Sequence, residues 1–384
     1  MIIIIILIPY LLCPFYKYPE IVSFAGKMIY NPYENISSNN WLKANFHAHT
    51  RQWTGITAGS SSHEEVVASK YKELKYDITG ISDYQSINTY LEDDPLYIPV
   101  YEHGLGVLKS HQLVIGPKEV SWKEFMLFQT FHNKQDVINS LRKDGEVISI
   151  NHPKLRGAYS PDDLKYLKDY DLLEVSSHSY FNAADMWDTA LSAGNPVFVI
   201  ANDDNHDIND PEDFGYVYTM INTNKKDTKA ILSALKSGNA FGVELEPQKD
   251  TSPQKKIQQS VSIPVVTSCK IFKDTLEMIF NRDFDNIKII GQNGKLKLSG
   301  HNNDTIKYCL QSEDTYIRAE INQSDMTNIF LNPVFRYDGE IYKVHPEIDV
   351  KKTWIFRFIY LIIALLVFLI IKSSGRGKIK LQEP

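Results

Sequence analysis

The chain is predicted to be an α/β protein followed by a small all-β unit, with an apolar segment at each end. Three observations support this. From about residue 41 to 246, strand and helix signals alternate. From 261 to 346 the apolar period falls to two, and short runs are separated by Asn, Gly and Asp. Residues 2–16 and 354–371 are almost wholly aliphatic or aromatic.

At the N-terminus, residues 1–18 carry an apolar run with no basic residue before it and Lys17 after it. That pattern fits a cleaved signal peptide poorly and an uncleaved anchor better. The α/β region, 41–246, is expected to place strands at 43–49, 76–82, 96–102, 112–115, 146–150, 172–176 and 196–201. Helices are expected at 62–75, 134–143, 161–169, 183–193 and 228–237. Ser62 with Glu65 has capping-box spacing, Ser160 opens the next helix but one, and Gly194 and Gly238 stop the last two. Repeated strand-then-helix units imply a mostly parallel sheet, open or closed into a barrel. Residues 247–260 are polar and read as a linker, and 261–346 as a β-sandwich-like domain. The run 354–371 has Trp354 and Tyr360 near one boundary and is followed by Lys372, Arg376, Lys378 and Lys380. It is expected to be a transmembrane helix with a basic tail at 372–384. The tail places the main body outside the cytoplasm, on the periplasmic side, although Lys351, Lys352 and Arg357 just before the helix weaken the charge difference.

Composition narrows the function classes. The 384 residues are 43% hydrophobic and 23% charged, ordinary for a globular protein of about two folded units. A net charge of −6 argues against nucleic acid as a partner bound through bulk electrostatics. Three cysteines do not make a disulfide framework.

The chemistry-bearing residues cluster at strand ends. His47 and His49 lie two apart on one strand, so both rings leave the same face, a geometry suited to one metal ion. Asp83, Glu102, His152, and the pair Asp204 and His206 follow later apolar runs in order. His111 instead precedes its run, which an antiparallel excursion explains. Any one of these residues alone is an ordinary surface or capped core residue. The ordered set of His and carboxylates, with no cysteine, points to Zn²⁺, Mn²⁺ or Fe²⁺. A carboxylate such as Glu102 can bridge two ions and so serve hydrolysis of a phosphoryl or acyl centre. Asp203 and Asp207 read as turn or supporting residues. Lys154 and Arg156, just after His152, are candidates to meet an anionic substrate.

These motifs resemble the polymerase and histidinol phosphatase (PHP) superfamily over roughly residues 41–245. His47-Ala-His49-Thr is similar to its opening His-x-His, and Ile81-Ser-Asp83-Tyr84 to its Thr-Asp-His. Glu102 and His111 are similar to its Glu motif and following histidine. Asn-His152-Pro resembles its Ala-His-Pro, and Asp204-Asn-His206 its late Asp-x-His. The β-rich region, with Tyr316-Ile-Arg-Ala-Glu320 and Asn332-Pro-Val-Phe-Arg336, resembles the carbaryl-hydrolase-like subgroup. The apolar ends imply membrane anchoring, and the resemblance implies a distorted (β/α)7 barrel and a metal-dependent phosphoesterase acting on a small molecule through a hydroxide held between two metals. It implies His47, His49, Glu102 and Asp204 around one metal and Glu102, His111 and His152 around a second. Of the family's third-metal ligands only His206 is matched: Tyr84 stands where a histidine belongs, and no Asp follows His49. Two metals are therefore expected. Asp204 would orient the nucleophile, with His206 and Tyr84 as proton donors. The alternatives are an ester or amide hydrolase, or a degenerate barrel that binds a ligand or protein at the envelope. A nuclease-like activity fits the acidic balance and membrane segments least.

Overall fold

The computed structural model describes residues 2–53, 61–177, 182–341 and 344–377. Helix α1 (Ile2–Leu12) and strand β1 (Met28–Tyr30) precede β2 (Trp41–Asn45), α2 (Glu64–Glu73) and β3 (Ile78–Thr79). Then come β4 (Val100–His103), β5 (Gln112–Ile115), α3 (Phe131–Leu141), β6 (Val147–Ile150) and α4 (Pro161–Tyr166). Strand β7 (Leu172–Ser177), α5 (Ala184–Ser192), β8 (Phe198–Asn202), β9 (Val217–Asn222), α6 (Thr228–Lys236) and β10 (Ala240–Glu244) follow. The second half holds α7 (Pro253–Val261), β11 (Val266–Phe272), β12 (Thr275–Gly291) and β13 (Lys295–Cys309). The last elements are β14 (Tyr316–Asn322), β15 (Asn328–Leu331), β16 (Val334–Tyr337) and α8 (Val350–Gly377).

Local chemistry explains several boundaries. Ser160 and Asp163 cap α4 reciprocally: Asp163 N–H donates to Ser160 Oγ at 3.1 Å, and Ser160 N–H to Asp163 Oδ2 at 2.7 Å. Asp227 caps α6 by accepting from Ala230 N–H at 2.8 Å. Gly238, at φ +69°, turns the chain out of α6 where a side chain would strike the ring of Phe198. Two expectations need correction. Ser62 does not cap α2: His63 holds that position, and Ser62 Oγ accepts from Asn209 Nδ2 instead. The expected linker 247–260 contains α7, whose cap Ser252 accepts from Lys255 N–H. Buried Lys256 docks α7 by donating to the carbonyls of Pro211 and Phe214.

The strands form two sheets. The smaller runs β4–β5–β6–β7–β8, antiparallel across β4, β5 and β6 and parallel from β6 to β8. The larger, of 11 strands, runs β1–β16–β14–β15–β10–β9–β2–β3, with β11, β12 and β13 joined to β14 through β12. It crosses the boundary expected near residue 247, because β10 pairs antiparallel with both β9 and β15. A single hydrogen-bonded barrel over 41–246 is not what forms. Strand β2 takes β9 on one edge and β3 on the other. Thr219 of β9 bonds through Oγ1 to both the N–H and the C=O of Ala201 in β8, and the two strands share no ladder. The sheets meet at two isolated parallel bridges, Ala48 with Asn205 and Tyr84 with Glu102. The candidate site lies along these seams.

At the chain ends, Val350–Ile370 is the one stretch among the described residues long and apolar enough to cross a membrane. Helix α1, with 11 residues, spans only about 16 Å, against roughly 30 Å of bilayer core. It is too short to cross that core by itself. Most of the basic tail, 378–384, lies outside the described residues.

Candidate metal centre

His47 and His49 follow the end of β2, and their backbone is tied down on both sides. Phe46 N–H donates to Asn202 Oδ1 at 2.7 Å, and His49 N–H to the Asn205 carbonyl at 3.0 Å. Asp83 completes the clamp. It accepts from the N–H and hydroxyl of Thr50 and from Asn88 Nδ2, so its oxygens position the loop after His49 and do not join the cluster. Glu102 is the penultimate residue of β4, and the return into antiparallel β5 brings His111 beside it. Close packing there requires Gly104: a Cβ at its φ of +128° would lie 2.5 Å from His111 Cδ2. His152 and Asp204 follow β6 and β8 with φ of 25° and 52°. Left-handed backbone at two non-glycine strand ends is strain held where side chains must be aimed.

Two groups result, sharing Glu102. His47, His49, Glu102 and Asp204 each offer an atom such that all four lie within 4.8 Å of one another, as do those of Glu102, His111 and His152. Asp204 Oδ1 lies 3.0 Å from His47 Nε2 and 3.3 Å from His49 Nε2. Glu102 Oε2 lies 3.3 Å from His49 Nε2. These four atoms, His47 Nε2, His49 Nε2, Glu102 Oε2 and Asp204 Oδ1, are buried with no aligned hydrogen-bond partner among the described residues. Buried polar atoms rarely stay unsatisfied, and four converging ones fit a divalent cation. In the second group Glu102 Oε1 contacts His111 Nδ1 at 2.9 Å and His152 Nε2 at 3.1 Å. Imidazoles and carboxylates without a thiolate suit Zn²⁺, Mn²⁺ or Fe²⁺.

The electrostatics are those of concentrated opposite charge. Burial opposes charge on His47, but Asp204, Glu102 and Glu174 outweigh it and raise its pKa well above the usual value. His49 and His152 are also raised against their burial, the first by the nearby Asp204 and Glu102 carboxylates and the second mainly by Glu102. Burial would raise Glu102, yet His111 and His47 hold it well below the carboxylate range. Burial prevails at His111, pushing it down to about 4 despite the Glu102 carboxylate beside it.

The remaining predicted residues surround this centre. His206 lies outside both groups. Its ring stacks on His49 at 4.4 Å, and its Nε2 is 3.3 Å from Asp204 Oδ1 with a third of the side chain exposed. Tyr84 also stacks on His49, centroids 4.5 Å apart, and lies 6.3 Å from the ring of His206. Its phenol is held protonated by burial and by the Glu102 and Asp204 carboxylates. Arg156 donates to the Val107 carbonyl at 3.4 Å, and its charge reaches the Tyr84 phenol. Lys154 is turned to Asp185, 2.7 Å away. Asp203 is structural, accepting from Tyr71 and from the backbone of Gly215, Tyr216 and Val217.

Sequence reasoning missed two residues. Fully buried Glu174 accepts from His47 Nδ1, Asn202 Nδ2 and the N–H of His152. Its signal was a lone acid inside the apolar strand Leu172–Ser177, which demands a partner. Lys109 places its ammonium 5.3 Å from the Tyr84 ring centre, and nothing in its local sequence marks it.

No protein-family model and no curated protein matches the chain. One solved structure is similar, a two-domain protein from Bacteroides vulgatus ATCC 8482 described as containing a predicted PHP-like metal-dependent phosphoesterase. It is 11% identical, covering 84% of this chain and 92% of that one, with a TM-score of 0.39. What this site can do is decided by its own side chains.

Proposed function

We propose that this protein is a metal-dependent hydrolase of phosphoesters, tethered to a membrane by α8. The supporting observation is the convergence of four buried, unsatisfied ligand atoms from His47, His49, Glu102 and Asp204. His47, His49, Glu102 and Asp204 would hold one divalent ion, and Glu102, His111 and His152 a second. Ions held there would activate water and offset the charge that develops on phosphoryl oxygens. Glu174 fixes the ring of His47 so that Nε2 faces the cluster. His206, beside Asp204 and partly open to solvent, would pass a proton between Nε2 and a substrate oxygen. Tyr84 keeps its proton and would offer it as a hydrogen bond to a substrate oxygen. Phosphoesters are favoured over neutral esters because Arg156 and Lys109 bring positive charge to Tyr84 at the edge of the cluster. The basic residues at and beyond the end of α8 favour an extracytoplasmic body.

Elemental analysis of the full chain in detergent, loaded with Mn²⁺ or Zn²⁺, tests this reading together with turnover of p-nitrophenyl phosphate. The expected result is about two equivalents of metal, both lost in Glu102→Ala, with hydrolysis lost alongside. A chain that takes up no metal rejects the hydrolase and leaves a binding protein.

A further inference from the structure

Six large apolar side chains stand exposed on the loops around the centre: Trp53, Val107, Leu108, Trp122, Leu127 and Phe128, each between 38% and 63% exposed. They are joined to the site on one side. Trp53 Nε1–H donates to the Tyr84 carbonyl at 2.7 Å, and its ring meets Trp122 at 6.2 Å. Val107 N–H donates to Met126 O, while Val107 O accepts from Arg156. Tyr84 in turn stacks on His49.

On the other side they are joined to the apolar ends of the chain. The Tyr10 hydroxyl of α1 accepts from Leu127 N–H and Phe128 N–H and donates to Phe128 O, and its ring packs on Phe128 at 4.9 Å. Just beyond α1, Phe15 stacks on Phe356 of α8 at 4.2 Å and its N–H donates to Thr353 Oγ1. Arg357 donates to the Leu12 carbonyl. Contacts thus run from His49 through Tyr84 to Trp53 and Trp122, and from Val107 through Leu127, Phe128 and α1 to the first turns of α8.

Given the hydrolase reading and α8 as a membrane span, on which this rests, we infer that the mouth of the centre lies on the bilayer surface. Its substrate is then an amphiphilic phosphoester whose chain stays in the membrane. Trp and Phe suit the interface, where their rings are apolar and their surroundings partly wet. Contiguous exposed apolar surface is unfavourable in water and favourable against lipid. Arg156 and Lys109 stand between rim and cluster, at the place a phosphate headgroup would cross. The reaction is hydrolysis. The oxygen of water joins phosphorus, the bond from phosphorus to the lipid oxygen breaks, one water proton leaves with the alcohol, and the other stays with the phosphate.

The test uses the full chain in phosphatidylcholine vesicles. Brominated phosphatidylcholine is expected to quench wild-type fluorescence more than that of Trp122→Phe, because Trp122 touches lipid. If removing Trp122 leaves the quenched fraction unchanged, the rim faces water and the inference falls whatever the activity. With metal loaded, dioleoyl phosphatidic acid in the vesicles is compared with soluble p-nitrophenyl phosphate. The double variant Leu127→Ser with Phe128→Ser is expected to lose about tenfold on the lipid ester and nothing on the soluble one. Equal rates for variant and wild type on the lipid ester overturn the role of the rim. Cleavage of the soluble ester alone overturns the inference and spares the hydrolase reading. Cleavage of neither overturns both.

Discussion

Glu174 holds His47 by the nitrogen that faces away from the cluster: Oε1 accepts from Nδ1 at 3.0 Å. A carboxylate at Nδ1 selects the tautomer whose Nε2 carries a lone pair, and it raises the basicity of that lone pair. The other oxygen of Glu174 accepts from His152 N–H at 2.9 Å, so one buried acid steadies a residue of each group.

Glu174→Gln is therefore expected to weaken metal binding by roughly 10–100-fold while keeping every proposed ligand. Metal titration with a competing chelator reads this directly. An unchanged affinity would mean that the His47 ring is held by its packing alone.

Gly104→Ala probes the second group without touching a ligand. Its Cβ would come within 2.5 Å of His111 Cδ2, in a backbone conformation that alanine rarely adopts. The expected outcome is a folded chain that retains the metal of His47, His49, Glu102 and Asp204 and loses the other. Elemental analysis giving full occupancy would show that the hairpin yields instead.

The two halves of the chain are welded by Arg318 of β14 and Asp188 of α5. The guanidinium meets the carboxylate through Nε and Nη2, both at 2.7 Å, over the ring of Trp187. Asp188→Ala leaves a buried cation short of its partner and should cost about 3–5 kcal/mol in denaturant unfolding. The exposed pair Lys154 and Asp185 is the control, and Asp185→Ala should cost under about 1 kcal/mol. Equal effects would contradict the burial of the first pair.

Stability should also depend on Lys43, whose ammonium lies 4.0 Å and 4.4 Å from the ring centres of Tyr76 and Tyr218. Burial pushes it down to about 7, against the pull of nearby Asp203. The folded pKa lies below the unfolded one, so the unfolded chain binds more protons between them, and stability rises with pH from about 7 towards the usual lysine range. Below pH 7 the charge is present in both states and the cost is complete. Lys43→Met should thus melt higher than wild type at pH 6, with the gap narrowing by pH 9. A gap independent of pH would show that Lys43 keeps its charge on folding.

Several features were legible in the residues because they depend on local order. The i, i+2 spacing of His47 and His49 puts both rings on one side, and their centroids lie 5.2 Å apart. The position of His111 before its apolar run implied an antiparallel return, which is the β4–β5 pairing that sets it against Glu102. Helices α4 and α6 start at Ser160 and Asp227 because side-chain oxygens there satisfy otherwise unpaired N–H groups.

Other features depend on residues far apart in the chain. The strands of 41–246 divide between two sheets, with Thr219 bonded to Ala201 where β8 passes β9, although their alternation with helices had implied one sheet. A polar segment became α7 because Lys256 found two carbonyls more than forty residues earlier. Glu174 and Lys109 reached the centre only through folding, and Asp83, a plausible ligand in the sequence, was taken up by Thr50 and Asn88. Periodicity and capping act over a few residues and can be read directly. Which buried charge meets which partner, and which strand edge stays open, is decided by packing across the whole chain, where an unpaired polar group is too costly to leave.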